Sequence, residues 1–224
     1  MAADHEIVTL DGPAGSGKST VARRLATVLG YRHLDTGAMY RAITLACLRR
    51  HIALDDACAV ARVAAAVRIE VTDSGGVRLD EEDVSEAIRS EAVSAAVSLV
   101  AANPDVRRLI VPLQRDFARR PGGVVAEGRD MATVVFPSAR HQFYLDATLE
   151  ERARRRYCQL RDGGADRVSL AEVTRALEER DRFDRSRVDS PLRRAEGARY
   201  LDTTSLTVDE VVQTLESWVE EESG

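Results

Sequence analysis

The stretch Gly12-Pro13-Ala14-Gly15-Ser16-Gly17-Lys18-Ser19 matches the pattern G-x-x-x-x-G-K-[ST], whose glycines let the backbone wrap closely around phosphate groups. The short apolar run 7–10 before it predicts a β-strand, and apolar residues at helical spacing over 19–29 predict an α-helix after it. A phosphate-binding P-loop requires this strand–loop–helix context. We therefore predict that these residues and Thr20 bind ATP, with Lys18 reaching the β and γ phosphates and Ser19 ligating Mg²⁺.

Lys18 has a further distinction, because all the other members of the 32 basic residues are arginine. A compact ammonium on a flexible stem fits places where a planar guanidinium does not. The single lysine therefore supports a specific role for this side chain at the phosphates.

The charge balance limits the classes of partner. The 224-residue chain has a formal net charge of -5 and a pI near 5.5, whereas surfaces that bind nucleic acid need a clustered excess of Lys and Arg. A small anionic ligand needs only local arginines. The first apolar run is too short for a signal peptide or a membrane span. We expect a cytoplasmic protein without nucleic-acid or membrane partners.

The cysteines and histidines suggest no chemistry of their own. Cys47, Cys58 and Cys158 are odd in number and far apart, so they predict reduced, mostly packed thiols rather than disulfides or a zinc site. The histidines lack the spacing of metal ligands. We interpret each of them as structural: His5, His33, His51 and His141.

The rest of the chain alternates between strand and helix patterns. Strands are predicted over 31–34, 123–126 and 142–145, and helices over 37–48, 104–120 and from 149 onward. This alternation predicts an α/β fold with a parallel sheet. From about 55 to 103 the texture changes to Ala and Val with short alternating pieces, which predicts an insertion carrying a β-hairpin over 67–71 and 77–79.

Later helix starts are marked by capping boxes, in which a hydroxyl and a glutamate three residues on bond each other's backbone amides. The pairs are Thr148 with Glu151, Ser169 with Glu172, and Thr207 with Glu210. The paired glycines within 161–166 interrupt a charged helix and predict a flexible tip or hinge.

Several motifs outside the P-loop resemble the bacterial cytidylate kinase family. They are LDTGAMYR at 34–41, EGRD at 127–130 and RDRFDRSR at 180–187, joined by 11–20, TVVFP at 133–137 and DTTSL at 202–206. The resemblance covers nearly the whole chain and implies a nucleoside monophosphate kinase fold. It implies a P-loop core of residues 1–54 and 105–224, an inserted monophosphate-binding domain at 55–104, and an arginine-rich lid near 152–168.

The resemblance also implies roles for individual residues. Around the acceptor phosphate it places Thr36, Tyr40, Arg41, Arg129 and Arg187. At the cytosine it places Ser98, Arg107 and Asp130, and near the acceptor sugar it places Arg180 and Asp184. The catalytic set implied is Lys18, Arg129, Arg155 and Arg187. Mg²⁺ bound with ATP is the implied cofactor, and Glu127 would hold a water of its shell.

The proposed base contacts agree with the chemistry of cytosine. Cytosine offers an amino donor beside two acceptors, so its recognition needs a carboxylate next to a guanidinium or a hydroxyl. Asp130, Arg107 and Ser98 supply that set. Uracil exchanges donor for acceptor at two positions and would leave buried groups unpaired, so UMP should be rejected.

The sequence departs from the family pattern at two positions. Glu127 stands where the family usually has Asp before Gly-Arg-Asp, and Thr36 stands where some members have Ser. Neither change removes a functional group. The extra methylene of Glu127 changes the reach of its carboxylate toward the P-loop and the magnesium shell.

The arginine-rich helices have a second interpretation. Taken alone, Arg152, Arg154, Arg155 and Arg156 fit a solvent-exposed helix face, but the glycines after them and the resemblance favour a lid in which Arg155 contacts the triphosphate. The run 182–187 taken alone would equally fit an ion-pair lattice with Asp181 and Asp184.

The expected activity is transfer of the γ-phosphoryl group of ATP to CMP or dCMP by a monomer. One alternative is another small-molecule kinase on the same core, in which Asp130 and Arg107 do not touch a base. The other is a nucleotide-dependent switch. The chain lacks the guanine-binding Asn/Thr-Lys-x-Asp motif, which a single lysine at position 18 rules out.

Overall fold

The computed structural model describes residues 6–73, 75–164 and 168–223. Its strands are β1 Ile7–Asp11, β2 Arg32–Asp35, β3 Ile69–Val71, β4 Val77–Leu79, β5 Glu82–Asp83, β6 Val124–Gly128, β7 His141–Asp146 and β8 Arg199–Asp202. Its helices are α1 Lys18–Leu29, α2 Thr36–Arg49, α3 Ala57–Ala66, α4 Glu91–Ala102, α5 Pro104–Ala118, α6 Leu149–Asp162, α7 Leu170–Ser186 and α8 Val208–Ser223. The main sheet is parallel, in the order β2-β6-β1-β7-β8. The predicted α/β class with a parallel sheet is confirmed.

Helices cover both faces of the main sheet. A hydrophobic cluster lies on each face of the sheet. Alternate residues of β6 pack into the two clusters, because successive strand side chains point to opposite faces. Val125 packs in a cluster with α1 and α8, and Val124 and Ala126 pack in a cluster with α2 and α5. The second cluster also contains valines of the predicted insertion. The division of the chain into a core and an inserted domain stays a prediction.

The parallel sheet brings four chain segments to one edge. In register, Asp11 lies opposite Gly128 of β6 and Tyr144 of β7, and Asp35 of β2 lies opposite Glu127. The carboxyl ends of all these strands therefore meet beside the loop 12–17. Ligands of open α/β sheets bind in the crevice outside such strand ends.

The segment 55–103 holds more regular structure than the sequence patterns predict. The hairpin β3–β4 is present and extends into β5, although Ser74 of its turn lies outside the described residues. The helices α3 and α4 were missed, because the prediction followed the short alternating pieces of this segment rather than the apolar residues at helical spacing. On α4 that stripe consists of Val93, Val97 and Val100, all buried. β8 was missed as well.

Two of the three predicted capping boxes are complete. Ser169 and Glu172 bond each other's backbone amides, and so do Thr207 and Glu210. At α6, Thr148 accepts from the amide of Glu151 at 3.3 Å, but the glutamate turns toward Arg154 and Arg155 instead. The helix then runs to Asp162, and residues 165–167 of the predicted hinge and lid lie outside the described residues.

The prediction of mostly packed thiols is wrong for two of the three cysteines. Cys47 is buried, whereas Cys58 on α3 and Cys158 on α6 are exposed. Trp218 packs against Phe143 with ring centroids 5.7 Å apart. Among the described residues, no helix combines the length and apolar content that crossing a bilayer would require.

Candidate active site

The loop between β1 and α1 has the backbone shape that its glycines predict. Gly17 caps α1 in the left-handed conformation, at φ 89°, and a Cβ added at Gly12 would overlap the carbonyl oxygen of Leu145. Lys18 is buried and its Nζ donates to the carbonyl oxygen of Pro13 at 2.7 Å. Burial, helped by the charge of Arg129, lowers the pKa of Lys18 to about 7.

Polar contacts beside this loop link exposed Ser19 to the buried side chains of Glu127 and His33. The Ser19 hydroxyl donates to Oε2 of Glu127 at 2.7 Å, and Oε1 of the same carboxylate lies 3.2 Å from Nε2 of His33. Burial alone would raise the pKa of Glu127, but hydrogen bonds from His33 and Ser19 and the Lys18 charge hold it below its usual range.

From the sequence, His33 was interpreted as structural, so its contact with Glu127 was missed. The available signal was strand alternation, which puts position 33 on the same face of β2 as Asp35, directly before the segment 36–41. Hydroxyl and carboxylate oxygens suit Mg²⁺. Among the described residues no three side chains of His, Cys, Asp or Glu are arranged to hold a metal by themselves.

A second buried group joins Arg107 of α5 to Asp130, the residue after β6 and Arg129. Both side chains are 5% exposed and form an ion pair. Nη1 of Arg107 also donates to the Tyr40 hydroxyl at 3.2 Å and to the Ala101 carbonyl oxygen at 3.4 Å. Ser98 lies one turn before Ala101 on α4. Burial raises the pKa of Asp130, against the opposing charge of Arg107.

Arginines from two segments, 127–130 and 180–187, converge near Asp184 of α7. Nε of Arg129 donates to Oδ2 of Asp184 at 3.1 Å, and Arg187 donates to Oδ1. Arg180 is close to these charges; burial, reinforced by Arg129, lowers its pKa to about 9. Its buried Nε has no hydrogen-bond partner within the described residues. An arginine cluster in this state is suited to an anionic ligand.

Arg41 and Thr36, on α2, border the same region. Nη1 of Arg41 donates to Oγ of Ser94 at 2.8 Å, and burial lowers the pKa of Arg41. The Thr36 hydroxyl donates to the backbone carbonyl oxygen of Glu127 at 2.6 Å. Thr36 thus ties the start of α2 to the end of β6.

The arginines of α6 divide between the P-loop and the solvent. Arg155 donates to Thr203 through both Nη1 and Nη2, and its guanidinium lies beside Gly17. Arg152 is buried and donates to the Ala14 carbonyl oxygen at 3.0 Å and to Asp181 at 2.6 Å. Arg154 is exposed. The sequence analysis treated these arginines as one set and did not predict that Arg152 would be buried. No local sequence pattern distinguishes Arg152 from its neighbours.

Asp11, at the end of β1, was assigned no role from sequence. Its two carboxylate oxygens accept from the amides of Met131 and Ala132 at 2.9 and 2.8 Å. These amides begin the π-helical turn Met131–Val135 that follows Asp130. Burial raises the pKa of Asp11 to about 6, although the two amides oppose the rise. Asp11 therefore fastens the segment that carries Asp130 to the strand that carries the P-loop.

Comparison with known proteins places this geometry in one family. The family model described as cytidylate kinase matches residues 8–221. A cytidylate kinase of Caldanaerobacter subterraneus subsp. tengcongensis is 49% identical over 206 residues, which are 92% of this chain and 91% of that protein. A cytidylate kinase of Geobacter sulfurreducens is 46% identical over 218 residues, covering 96% and 93%.

A solved structure, TT1252 from Thermus thermophilus, aligns with 98% of this chain and 99% of its own at 23% identity and a TM-score of 0.48, a likeness too loose to bear on function. The sequence relatives and the family model are sufficient without it, since they span nearly the whole chain at high identity. The chain belongs to the cytidylate kinase family.

Proposed function

We propose that this protein transfers the γ-phosphoryl group of ATP to CMP or dCMP, producing ADP and CDP or dCDP. The observation that carries the proposal is the pairing of two acceptor features in one crevice. A buried Arg107–Asp130 pair supplies a donor and an acceptor for a base, and the arginines around Asp184 supply positive charge for a phosphate.

The base is recognised by hydrogen-bond complementarity. The Asp130 carboxylate accepts from the N4 amino group of cytosine, and Arg107 donates to its ring acceptors, with Ser98 as a further polar contact. Uracil would turn a carbonyl oxygen toward Asp130. Because Asp130 is almost fully buried, that mismatch would leave it without compensation from water.

Phosphoryl transfer needs positioning and charge stabilisation rather than a covalent intermediate. The triphosphate is bound by the P-loop and the residue after it, which are Gly12, Pro13, Ala14, Gly15, Ser16, Gly17, Lys18, Ser19 and Thr20. Lys18, Arg129, Arg155 and Arg187 stabilise charge on the transferred group. When bound with the nucleotide, Mg²⁺ would supply positive charge that offsets the charge of the phosphates. Ser19 would be its protein ligand, and Glu127, which accepts a hydrogen bond from the Ser19 hydroxyl, would hold a shell water.

The acceptor side consists of Thr36, Tyr40, Arg41, Ser98, Arg107, Arg129, Asp130, Arg180, Asp184 and Arg187. Asp184 and Arg180 face the acceptor sugar, and Arg41, Arg129 and Arg187 face its phosphate. The segment 152–168 acts as a lid, with Arg155 already over the P-loop, and 55–104 acts as the monophosphate-binding domain. We further infer a cytoplasmic monomer whose partners are these two nucleotides.

The direct test is steady-state turnover with ATP and CMP, dCMP, UMP or AMP as acceptor. CMP or dCMP should give the highest kcat/KM. Faster phosphorylation of UMP or AMP would overturn the base assignment. A nucleotide-dependent switch is separated by the same assay, since it would consume ATP at a rate that does not depend on added CMP.

A further inference from the structure

Of the three residues linked by polar contacts, His33, Glu127 and Ser19, only His33 has no assigned role. The His33 side chain is 10% exposed and that of Glu127 is 5% exposed. On its outer side, the imidazole is closed off by the β3–β4 turn, where a Cβ added at Gly75 would lie 3.8 Å from Nδ1. His33 is therefore enclosed between the second sheet and Glu127.

The Glu127 carboxylate has two partners on opposite sides. Oε2 accepts from Ser19 and Oε1 faces Nε2 of His33, so the imidazole and the hydroxyl hold the carboxylate from both ends. A glutamate side chain has three rotatable bonds, and a single contact would leave its terminal rotation free. The His33 contact removes that freedom and satisfies an oxygen that would otherwise be buried without a partner.

The orientation of the Ser19 hydroxyl follows from this arrangement. A serine hydroxyl has one proton and two lone pairs. When the proton points to Oε2 of Glu127, the lone pairs are left for a cation. A carboxylate that swung away would let the proton turn into the P-loop, where it would oppose a cation.

We propose that His33 is a positioning residue for the metal–nucleotide complex: it donates from Nε2 to Glu127 and so keeps the Ser19 hydroxyl oriented to ligate Mg²⁺. This inference rests on the part of the proposed function that concerns binding of a magnesium–nucleotide complex. It does not depend on which acceptor is phosphorylated. Outer contacts of this kind typically change metal affinity by about 10- to 100-fold when removed.

The test is calorimetric binding of ADP, with EDTA and with saturating Mg²⁺, to the wild type, His33→Leu and His33→Gln. Leucine removes the donor, whereas the glutamine amide can place a nitrogen near the position of Nε2. We expect the affinity gained on adding Mg²⁺ to shrink about 10-fold in His33→Leu. We expect His33→Gln to restore most of it.

The matched control is His141→Leu, which removes another buried histidine of the same sheet, one bonded to Glu222 and remote from Ser19. It should leave the magnesium gain unchanged. For each variant, the ADP affinity with Mg²⁺ is divided by the affinity of the same protein with EDTA. A reduced fraction of folded protein therefore affects both values and cancels in the ratio. If His33→Leu does not fold, His33→Asn replaces it, because its amide is too short to reach Glu127.

A wild-type magnesium gain in His33→Leu or His33→Asn would overturn the proposal, as would equal losses in His33→Gln and His33→Leu. ADP binding involves no acceptor. A failure of CMP specificity in the turnover assay would therefore leave this measurement intact, and an unchanged magnesium gain would leave the CMP assignment intact.

Discussion

The donor and acceptor sides of the site are constructed in different ways. The donor side is one continuous loop, in which Lys18 donates to the carbonyl oxygen of Pro13, five residues before it in the sequence. The acceptor side assembles side chains from α2, α5, the end of β6 and α7, and it is held together by ion pairs such as Arg107–Asp130.

The two sides also manage buried positive charge differently. Burial and the charge of Arg129 lower the pKa of Lys18 to about 7, and its ammonium donates to a backbone carbonyl oxygen. Burial lowers the pKa of Arg180 to about 9, although the Asp184 carboxylate opposes the shift. Buried positive charge is therefore compensated by a backbone dipole on the donor side and by a carboxylate on the acceptor side.

Lys18→Arg tests the donor side and should have the largest effect. The guanidinium is wider than the ammonium that fits against Pro13, so we expect kcat to fall by about 100- to 1,000-fold at saturating ATP and CMP. An unchanged melting temperature would show that the fold persists. Turnover near the wild-type rate would remove the special role of the single lysine.

Asp11→Asn tests the link between the two sides through the pH dependence of stability. The Asp11 pKa of about 6 in the fold exceeds the ordinary 3.8, so the native state binds this proton more tightly. The stability that Asp11 contributes is therefore full below about pH 4 and is lost as the pH rises through 6. The difference corresponds to about 3 kcal/mol at most.

The measurement for Asp11→Asn is the free energy of unfolding in urea between pH 4 and pH 8, expressed as wild type minus variant. This difference should decline through the window from about 4 to 6. The exposed Asp116→Asn controls for removal of one carboxylate. A difference that stays flat or rises with pH would contradict the burial argument.

Arg187→Ala tests phosphate handling on the acceptor side. It removes a buried guanidinium that contacts Asp184 and that we place at the phosphate shared by every acceptor. We expect kcat to fall about 100-fold for CMP and UMP alike. Arg182→Ala, an exposed position on the same helix, should stay within about twofold. Collapse of the CMP/UMP ratio in Arg187→Ala would assign this residue to the base instead.

Asp130→Asn tests base recognition. The amide can turn its nitrogen or its oxygen toward the base, so kcat/KM for CMP should fall about 10-fold while UMP is affected less. The decisive quantity is the ratio of kcat/KM for CMP over UMP, which should shrink. If the ratio is unchanged, Asp130 does not distinguish the two bases.

Ser169→Ala should have the smallest effect and concerns the helix that carries Arg180 and Asp184. Its complete capping box predicts a loss of about 1 kcal/mol in the free energy of unfolding. Thr207→Ala, with the same box on α8, should match it. Thr148→Ala should cost less, because Glu151 does not complete that box. Equal losses for all three would show that the glutamates add nothing.

The P-loop and the helix starts could be predicted because their causes are local. A glycine at position 17 adopts a left-handed cap, and Ser169 reaches an amide three residues on, whatever the rest of the chain does. The helices α3 and α4 were missed because their segments mix helix-favouring alanine with strand-favouring valine. Their helical state depends on packing against α2 and α5.

By itself, the sequence determined the phosphate loop, the parallel α/β class and, through motifs at 34–41, 127–130 and 180–187, the family. Only the tertiary structure decided that His33 meets Glu127, that Asp11 meets the turn after Asp130, and that Arg152 is anchored beneath the P-loop. These contacts join residues between 94 and 138 positions apart. No local pattern encodes such pairs, because they arise only when parallel strands bring their carboxyl ends to one edge of the sheet.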